Sequence, residues 1–181
     1  MRLKVVNIKE EFFNIFDFST EIMTNEDNDN NRPFLLILSL RYKSKKQSFA
    51  IPFRSNIQVN KSTKGLYFPL PRRYTTRPHH AHGLHYIKIF PVLTKYCDKF
   101  VMNESDYTAK LMQYIEKNIS KIVGQAQEYL KKYEEGFRAN YCTNIDRLLD
   151  TINNYEVAKY SEQSIQTQEQ IAFDKEAKKS S

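Results

Sequence analysis

The chain reads as an α+β protein, with strands first and helices after. Two patterns predict this. Short apolar runs separated by polar turns continue to Val92, and from Met112 the apolar residues recur at helical steps of three and four. Leu3, Val5 and Ile8 suggest an opening strand, followed by an apolar turn around Phe12, Phe13, Ile15 and Phe16. Residues 21–31 form a polar loop rich in Asn, Asp and Glu. Phe34–Arg41 and Ser48–Phe53 are apolar and strand-like around the polar turn 42–47, so together they predict a hairpin. Pro52, which cannot donate to a ladder, is expected at a strand edge or end. A loop is predicted over 54–65, a short strand over 66–70, an aperiodic loop over 72–83 and a strand over 84–92.

The helical stripe comprises Met112, Ile115, Ile119, Ile122, Val123, Ala126, Leu130, Tyr133 and Phe137. Asn103 or Ser105 can cap it, Glu104 and Asp106 suit its positive end, and Gly124 is a point of bending or breakage. Ile145, Leu148, Leu149 and Ile152 behind Thr143 signal a second helix. One domain is expected over 1–156. The remainder, 157–181, is a polar tail, helical or disordered, because it carries too few apolar residues for a core.

Charge is distributed unevenly. Between Arg41 and Lys99 there are 13 Lys or Arg residues and one acid, Asp98. The remainder holds 15 basic and 20 acidic residues, so a net +12 window sits in a chain of net charge +7. All four histidines and the rings of Tyr67, Phe68, Tyr74 and Tyr86 fall in that window. A one-signed field attracts a polyanion, and flat rings stack on bases, so nucleic acid is the expected partner. Anionic lipid fits less well, because no long basic amphipathic helix accompanies the window. The N-terminus lacks the apolar core of a signal peptide, and the run Phe34–Leu38 is too short to span a bilayer. Cys97 and Cys142 form no C-x-x-C pair and read as reduced, buried thiols of a cytosolic protein.

Most enzyme signatures are missing. Four glycines supply neither a phosphate-binding loop nor a nucleophile elbow. The cluster His79-His80-x-His82-x-x-His85 invites a zinc reading, but Arg77 and Lys88 flank it and no carboxylate adjoins it. A basic loop touching phosphate fits better, with an imidazole available as general acid or base. Carboxylates for two-metal hydrolysis would have to come from 21–29, outside the basic window. RNA brings its own nucleophile, the 2′-OH. Hydroxyls, Arg, Lys and His suffice to orient it and stabilise charge on phosphorus.

Segments 31–38 (NRPFLLIL), 51–55 (IPFRS) and 83–92 (GLHYIKIFPV), followed by the helix 107–132, resemble the toxins of type III toxin–antitoxin systems. The likeness is to the ToxN/AbiQ group, most closely its TenpN branch, and covers about residues 1–140. It implies a compact, highly bent antiparallel sheet, Kid/MazF-like and partly barrel-like, with a long C-terminal helix and further helices packed on it. It also implies a cytoplasmic, metal-independent endoribonuclease needing no cofactor. Its partners would be a cognate, repeat-derived and pseudoknotted antitoxin RNA, held in a closed ring-like assembly, and cellular or phage RNA as substrate. The biological role implied is phage defence by abortive infection.

By that resemblance Arg32 replaces the family's Lys at the start of the second strand, and Arg54-Ser55 replaces its Thr-Ser pair. A further family Lys is here Ile57, and a family Tyr is missing from 26–31, which shifts their work to Arg54, Lys61, Lys64 or the histidines. Ser55, Arg32 and Arg54 are thus the expected catalytic residues. Lys43, Lys45, Lys61, Lys64, Arg72, Arg73, Arg77, His79, His80, His82 and Lys88 are the expected RNA contacts, with no metal ligands. By themselves, Ser55 would be an ordinary loop hydroxyl and Arg32 a surface charge. A non-catalytic RNA-binding protein using the same basic surface is the alternative.

Overall fold

A computed structural model describes residues 4–16, 21–23, 32–101 and 105–179, with side chains in the last stretch through 161 and at 163. Leu3, the loop segment 24–31, Asn103 and Glu104 lie outside the described residues. The chain divides into two units, Met1–Ile145 and Asp146–Ser181.

The first unit is built on one antiparallel sheet. Its strands are β1 (Lys4–Ile8), β2 (Phe34–Tyr42), β3 (Lys45–Gln58), β4 (Tyr67–Pro69), β5 (His80–His85), β6 (Phe90–Pro91) and β7 (Cys97–Lys99). Their spatial order is β4-β5-β3-β2-β1-β7, with β6 added to β3, and the sheet is not closed. Two irregularities bend it. β2 gains a residue between Ile37 and Leu40 against β3, and β3 gains one between Arg54 and Ile57 against β5. An unpaired extra residue kinks its strand and tightens the local twist.

A short helix α1 (Glu10–Phe13) drops Phe12 into the core, stacked at 5.9 Å on Phe90. Phe34 to Ile37 are buried without alternation, so both faces of β2 are covered there. Helix α2 (Asp106–Glu134) lies against β2 and buries Leu111, Ile115, Ile122, Ala126, Tyr129, Leu130 and Tyr133. That stripe is the predicted one shifted slightly toward its C-terminal tyrosines. Phe137, expected on it, lies past the helix end and is exposed. Ser105 caps α2 by accepting from the Thr108 N–H at 3.1 Å. The helix runs through Gly124 without a break, because nothing crowds that exposed position and one glycine costs only about 1 kcal/mol. The second unit is the continuation of helix α3 (Ile145–Lys179).

Four sequence expectations require correction. The loop predicted from Arg54 is the second half of β3, which continues to Gln58 because β5 takes it as a partner. The loop predicted over 72–83 ends early, since β5 begins at His80; histidines hid the alternation. The strand predicted over 84–92 is interrupted by a 3-10 turn at Tyr86–Lys88. Pro52 sits buried within β3 rather than at its end. The Phe53 N–H points to β2, donating to Pro33 O at 3.3 Å, so the Pro52 nitrogen faces the other side. There β3 changes partner from β6 (Ala50 opposite Phe90) to β5 (Phe53 opposite Leu84), and no ladder bond is needed.

Candidate nucleic-acid interface at the β3 bulge

The bulge in β3 gathers the unusual chemistry. Arg54 pairs with Gly83 and Ile57 with Ala81, leaving Ser55 and Asn56 together opposite His82. Such bulges re-aim side chains and are frequent beside active sites. Gly83 is required here. A Cβ on it would lie 2.6 Å from Phe68 O and 2.9 Å from the Tyr67 ring, so only glycine lets β4 close over β5. The β2–β3 register begins with Phe34 opposite Pro52, and ahead of it the Phe53 N–H donates to Pro33 O at 3.3 Å, so Arg32, the residue before Pro33, lies near the stretch of β3 that holds Arg54. The sequence-derived trio Arg32, Arg54 and Ser55 therefore shares one end of the sheet. Arg32 is half-buried, its Nη1 3.9 Å from Met23 Sδ. Ser55 is half-buried at the first bulge position.

His85, two residues along β5 from Gly83, joins this group. Its Nδ1 lies 3.3 Å from Arg54 Nη1. A guanidinium only donates, so Nδ1 accepts and the ring proton resides on Nε2. Burial, reinforced by the positive charges of Arg54 and Lys88, pushes the His85 pKa down to about 3. A neutral, proton-donating imidazole results at physiological pH. Lys88 is only 7% exposed, and its Nζ meets Glu21 Oε2 at 2.7 Å. Glu21, expected in a solvated loop, instead supplies the carboxylate that makes a buried ammonium tolerable.

The predicted RNA contacts separate into groups. Arg72, Arg73, Arg77 and His79 are exposed on the β4–β5 loop, beside the bulge. The loop is tied to it, because the Arg77 N–H donates to Asn56 Oδ1 at 2.9 Å. Lys61 and Lys64 are exposed on the β3–β4 connection. His80 is half-buried, with Nδ1 2.8 Å from Pro78 O. His82 is interior: its Nδ1 lies 2.8 Å from Pro71 O and 3.0 Å from the Tyr107 hydroxyl, and burial lowers its pKa. It offers a phosphate no surface. Lys43 and Lys45 sit at the hairpin tip, the other end of β3, up to ~30 Å from Arg54 by strand rise. Among the described residues, no three of His, Cys, Asp and Glu converge as a metal-ligand set. His82 and His85 stand at an odd spacing on β5, on opposite faces of the strand. Cys97 and Cys142 are free thiols, and burial raises the Cys97 pKa to about 11. No helix among the described residues is long and apolar enough to cross a membrane.

Sequence reasoning offered His85 only as one of four histidines and did not assign Glu21 or Gly83 to the site. Gly83 was legible only as a member of the segment 83–92, and Glu21 is brought to Lys88 across 67 residues of chain.

No family model and no curated protein matches this sequence. Solved structures do match the fold. One comes from work on selective toxin inhibition by a non-coding RNA pseudoknot in bacterial type III toxin–antitoxin systems. It is 16% identical with a TM-score of 0.63, over 86% of this chain and 99% of that one. AbiQ, a lactococcal anti-phage endoribonuclease of a type III system, is 12% identical with a TM-score of 0.63, over 86% and 99%. A third, from a bacterial antiviral system regulated by a processed non-coding RNA, is 14% identical with a TM-score of 0.58, over 81% and 95%. The resemblance read from the segments of 1–140 thus extends to the whole sheet-and-helix arrangement: this chain has the fold of the ToxN/AbiQ toxins.

Proposed function

We propose that the protein is an endoribonuclease toxin of a type III toxin–antitoxin system, silenced by a cognate small RNA and acting in phage defence. The observation that carries this reading is the bulge, where Arg54 contacts His85 and Ser55 stands in the unpaired stretch beside it, on a fold shared with such toxins. The substrate's own 2′-OH attacks the adjacent phosphorus, and the 5′-oxygen leaves. A 2′,3′-cyclic phosphate and a 5′-hydroxyl result.

In this scheme Ser55 Oγ orients the 2′-OH and relays its proton to solvent, and a proton from solvent completes the leaving 5′-hydroxyl. Arg32 and Arg54 hold the non-bridging oxygens, whose charge grows in the transition state. With a pKa near 3, His85 is a poor base at neutral pH, and its ring is buried, so its part is to fix the Arg54 guanidinium. Cations of the β4–β5 loop and of the β3–β4 connection neutralise neighbouring phosphates. A pseudoknotted antitoxin and a ring-like assembly with it remain part of the proposal, as the resemblance implies.

Induced expression of wild type and of Ser55→Ala in a bacterial host tests the reading. Growth arrest with fragmented cellular RNA is expected for wild type, and normal growth for the variant. Equal harmlessness with intact RNA would favour the non-catalytic RNA-binding protein.

A further inference from the structure

The loop between β4 and β5 holds a tyrosine almost wholly in water. Tyr74 is 96% exposed, between Arg72, Arg73 and Arg77. The turn beneath it is closely bonded. The Thr76 N–H donates to Arg73 O at 3.0 Å, and the Arg73 N–H donates to Thr76 Oγ1 at 3.2 Å. Arg72 Nη2 donates to Thr76 O at 3.1 Å and to Arg77 O at 3.2 Å. Thr76 is buried, and Arg77 is fastened to Asn56 of the bulge. A closed turn, clamped to the candidate site, therefore presents an aromatic ring outward. A ring kept in water gains nothing from the fold, and Asn or Ser would suit a turn as well.

Of the four rings named above as stacking surfaces, Phe68 and Tyr86 are buried and Tyr67 is half-buried over Gly83. Tyr74 is the one of the four that is exposed. We propose that Tyr74 is a stacking platform for a single unpaired base of the bound RNA, beside the phosphate held at the β3 bulge. This deepens the ribonuclease reading and rests on it. Every base has a π-face, so such a platform contributes affinity with little sequence preference. The Arg72 guanidinium is committed to loop carbonyls, which leaves Arg73 and Arg77 for the flanking phosphates. A lipid surface could also receive a Tyr-Arg tip, but one ring without an apolar neighbour on the turn buries too little to hold it there.

The probe is a fluorescent 2′-O-methyl RNA of roughly 12 nucleotides, within the ~4–16-nucleotide site sizes of single-strand binders, which lacks the nucleophile and stays intact. Binding by anisotropy is compared for wild type, Tyr74→Ala and Tyr74→Phe. Alanine should weaken binding roughly 5- to 150-fold with the salt dependence unchanged, and phenylalanine should retain it. A base-free oligomer of the same backbone should bind all three alike. Equal binding of the RNA by wild type and Tyr74→Ala would overturn the proposal, as would a phenylalanine variant as weak as alanine. So would loss of binding to phosphatidylserine vesicles, in Tyr74→Ala, with RNA affinity intact. If wild type binds no RNA even at low salt, the ribonuclease reading itself fails and Tyr74 falls with it.

Discussion

The two ends of β3 are both basic, yet the fold treats them differently. At the hairpin end, Lys43 and Ser44 turn the chain with positive φ at both residues, a conformation that costs non-glycine residues about 1 kcal/mol or more each. Helix α2 holds this turn. Gln127 exchanges two 2.8 Å hydrogen bonds with the main chain of Arg41, and Glu134 accepts from the Lys43 N–H at 2.9 Å. One helix amide and one helix carboxylate therefore hold the main chain of the hairpin within the protein. At the bulge end, Arg54 faces a neutral imidazole and the exposed arginines of the adjoining loop face solvent. Glu21 is the one carboxylate ion-paired there among the described residues, and it is committed to Lys88. One basic end is thus fastened to a helix through its main chain, while the other adjoins a loop of exposed arginines. An outward field of one sign is what a polyanion finds.

The largest expected difference between the two ends is catalytic. Arg54→Gln should lower RNA cleavage by roughly 100- to 1,000-fold, the typical loss when one donor to a transition-state oxygen is removed. Lys45→Gln, on the exposed hairpin end, should leave the rate within about twofold. Single-turnover rates on one RNA substrate compare them, and equal losses would erase the distinction.

A stability difference of intermediate size concerns His85. Its folded pKa, about 3, lies below the ordinary 6.5, so the unfolded chain binds the extra proton first as pH falls. Its contribution is intact above about pH 6.5 and declines below it, by up to ~1.4 kcal/mol per pH unit, until pH approaches 3. In His85→Gln the fall in urea midpoint between pH 7 and pH 4.5 should be shallower than in wild type. His82 has the same sign but is present in both proteins, so the difference between them reports His85. Parallel curves would show that His85 is not held neutral.

The smallest effect separates the ends by salt. Each RNA phosphate neutralised contributes ~0.7–0.9 log units of affinity per log unit of salt. Replacing Lys61, Lys64, Arg73 or Arg77 by Gln should remove about one such contact each, while Lys43 and Lys45 should remove none. Equal slopes for both sets would place the RNA along the hairpin as well.

Much of this contrast was legible in the sequence. The charge imbalance marked the window, and the order of strands before helices gave the class of fold. Arg32, Arg54 and Ser55 came from the resemblance alone, since nothing local distinguishes them from ordinary surface residues. The bulge was hidden because its signature is an unpaired residue in a register that only the partner strand defines. Pro52 also misled: a proline is excluded from a ladder only on the side its nitrogen faces, and there β3 was changing partners. His85 looked like one more basic-loop histidine. Burial beside two cations makes it the opposite, a neutral donor, and burial is a property of the tertiary fold.

The central claim, that the bulge cleaves RNA through the substrate's 2′-OH without a metal, is tested most directly by the chemistry of the products. Purified protein, incubated with RNA in EDTA, should cleave it and leave 5′-hydroxyl ends that a kinase phosphorylates without prior dephosphorylation. Activity abolished by EDTA and restored by magnesium or zinc, with 5′-phosphate ends, would contradict the claim and remove Ser55, Arg32 and Arg54 from the catalytic role.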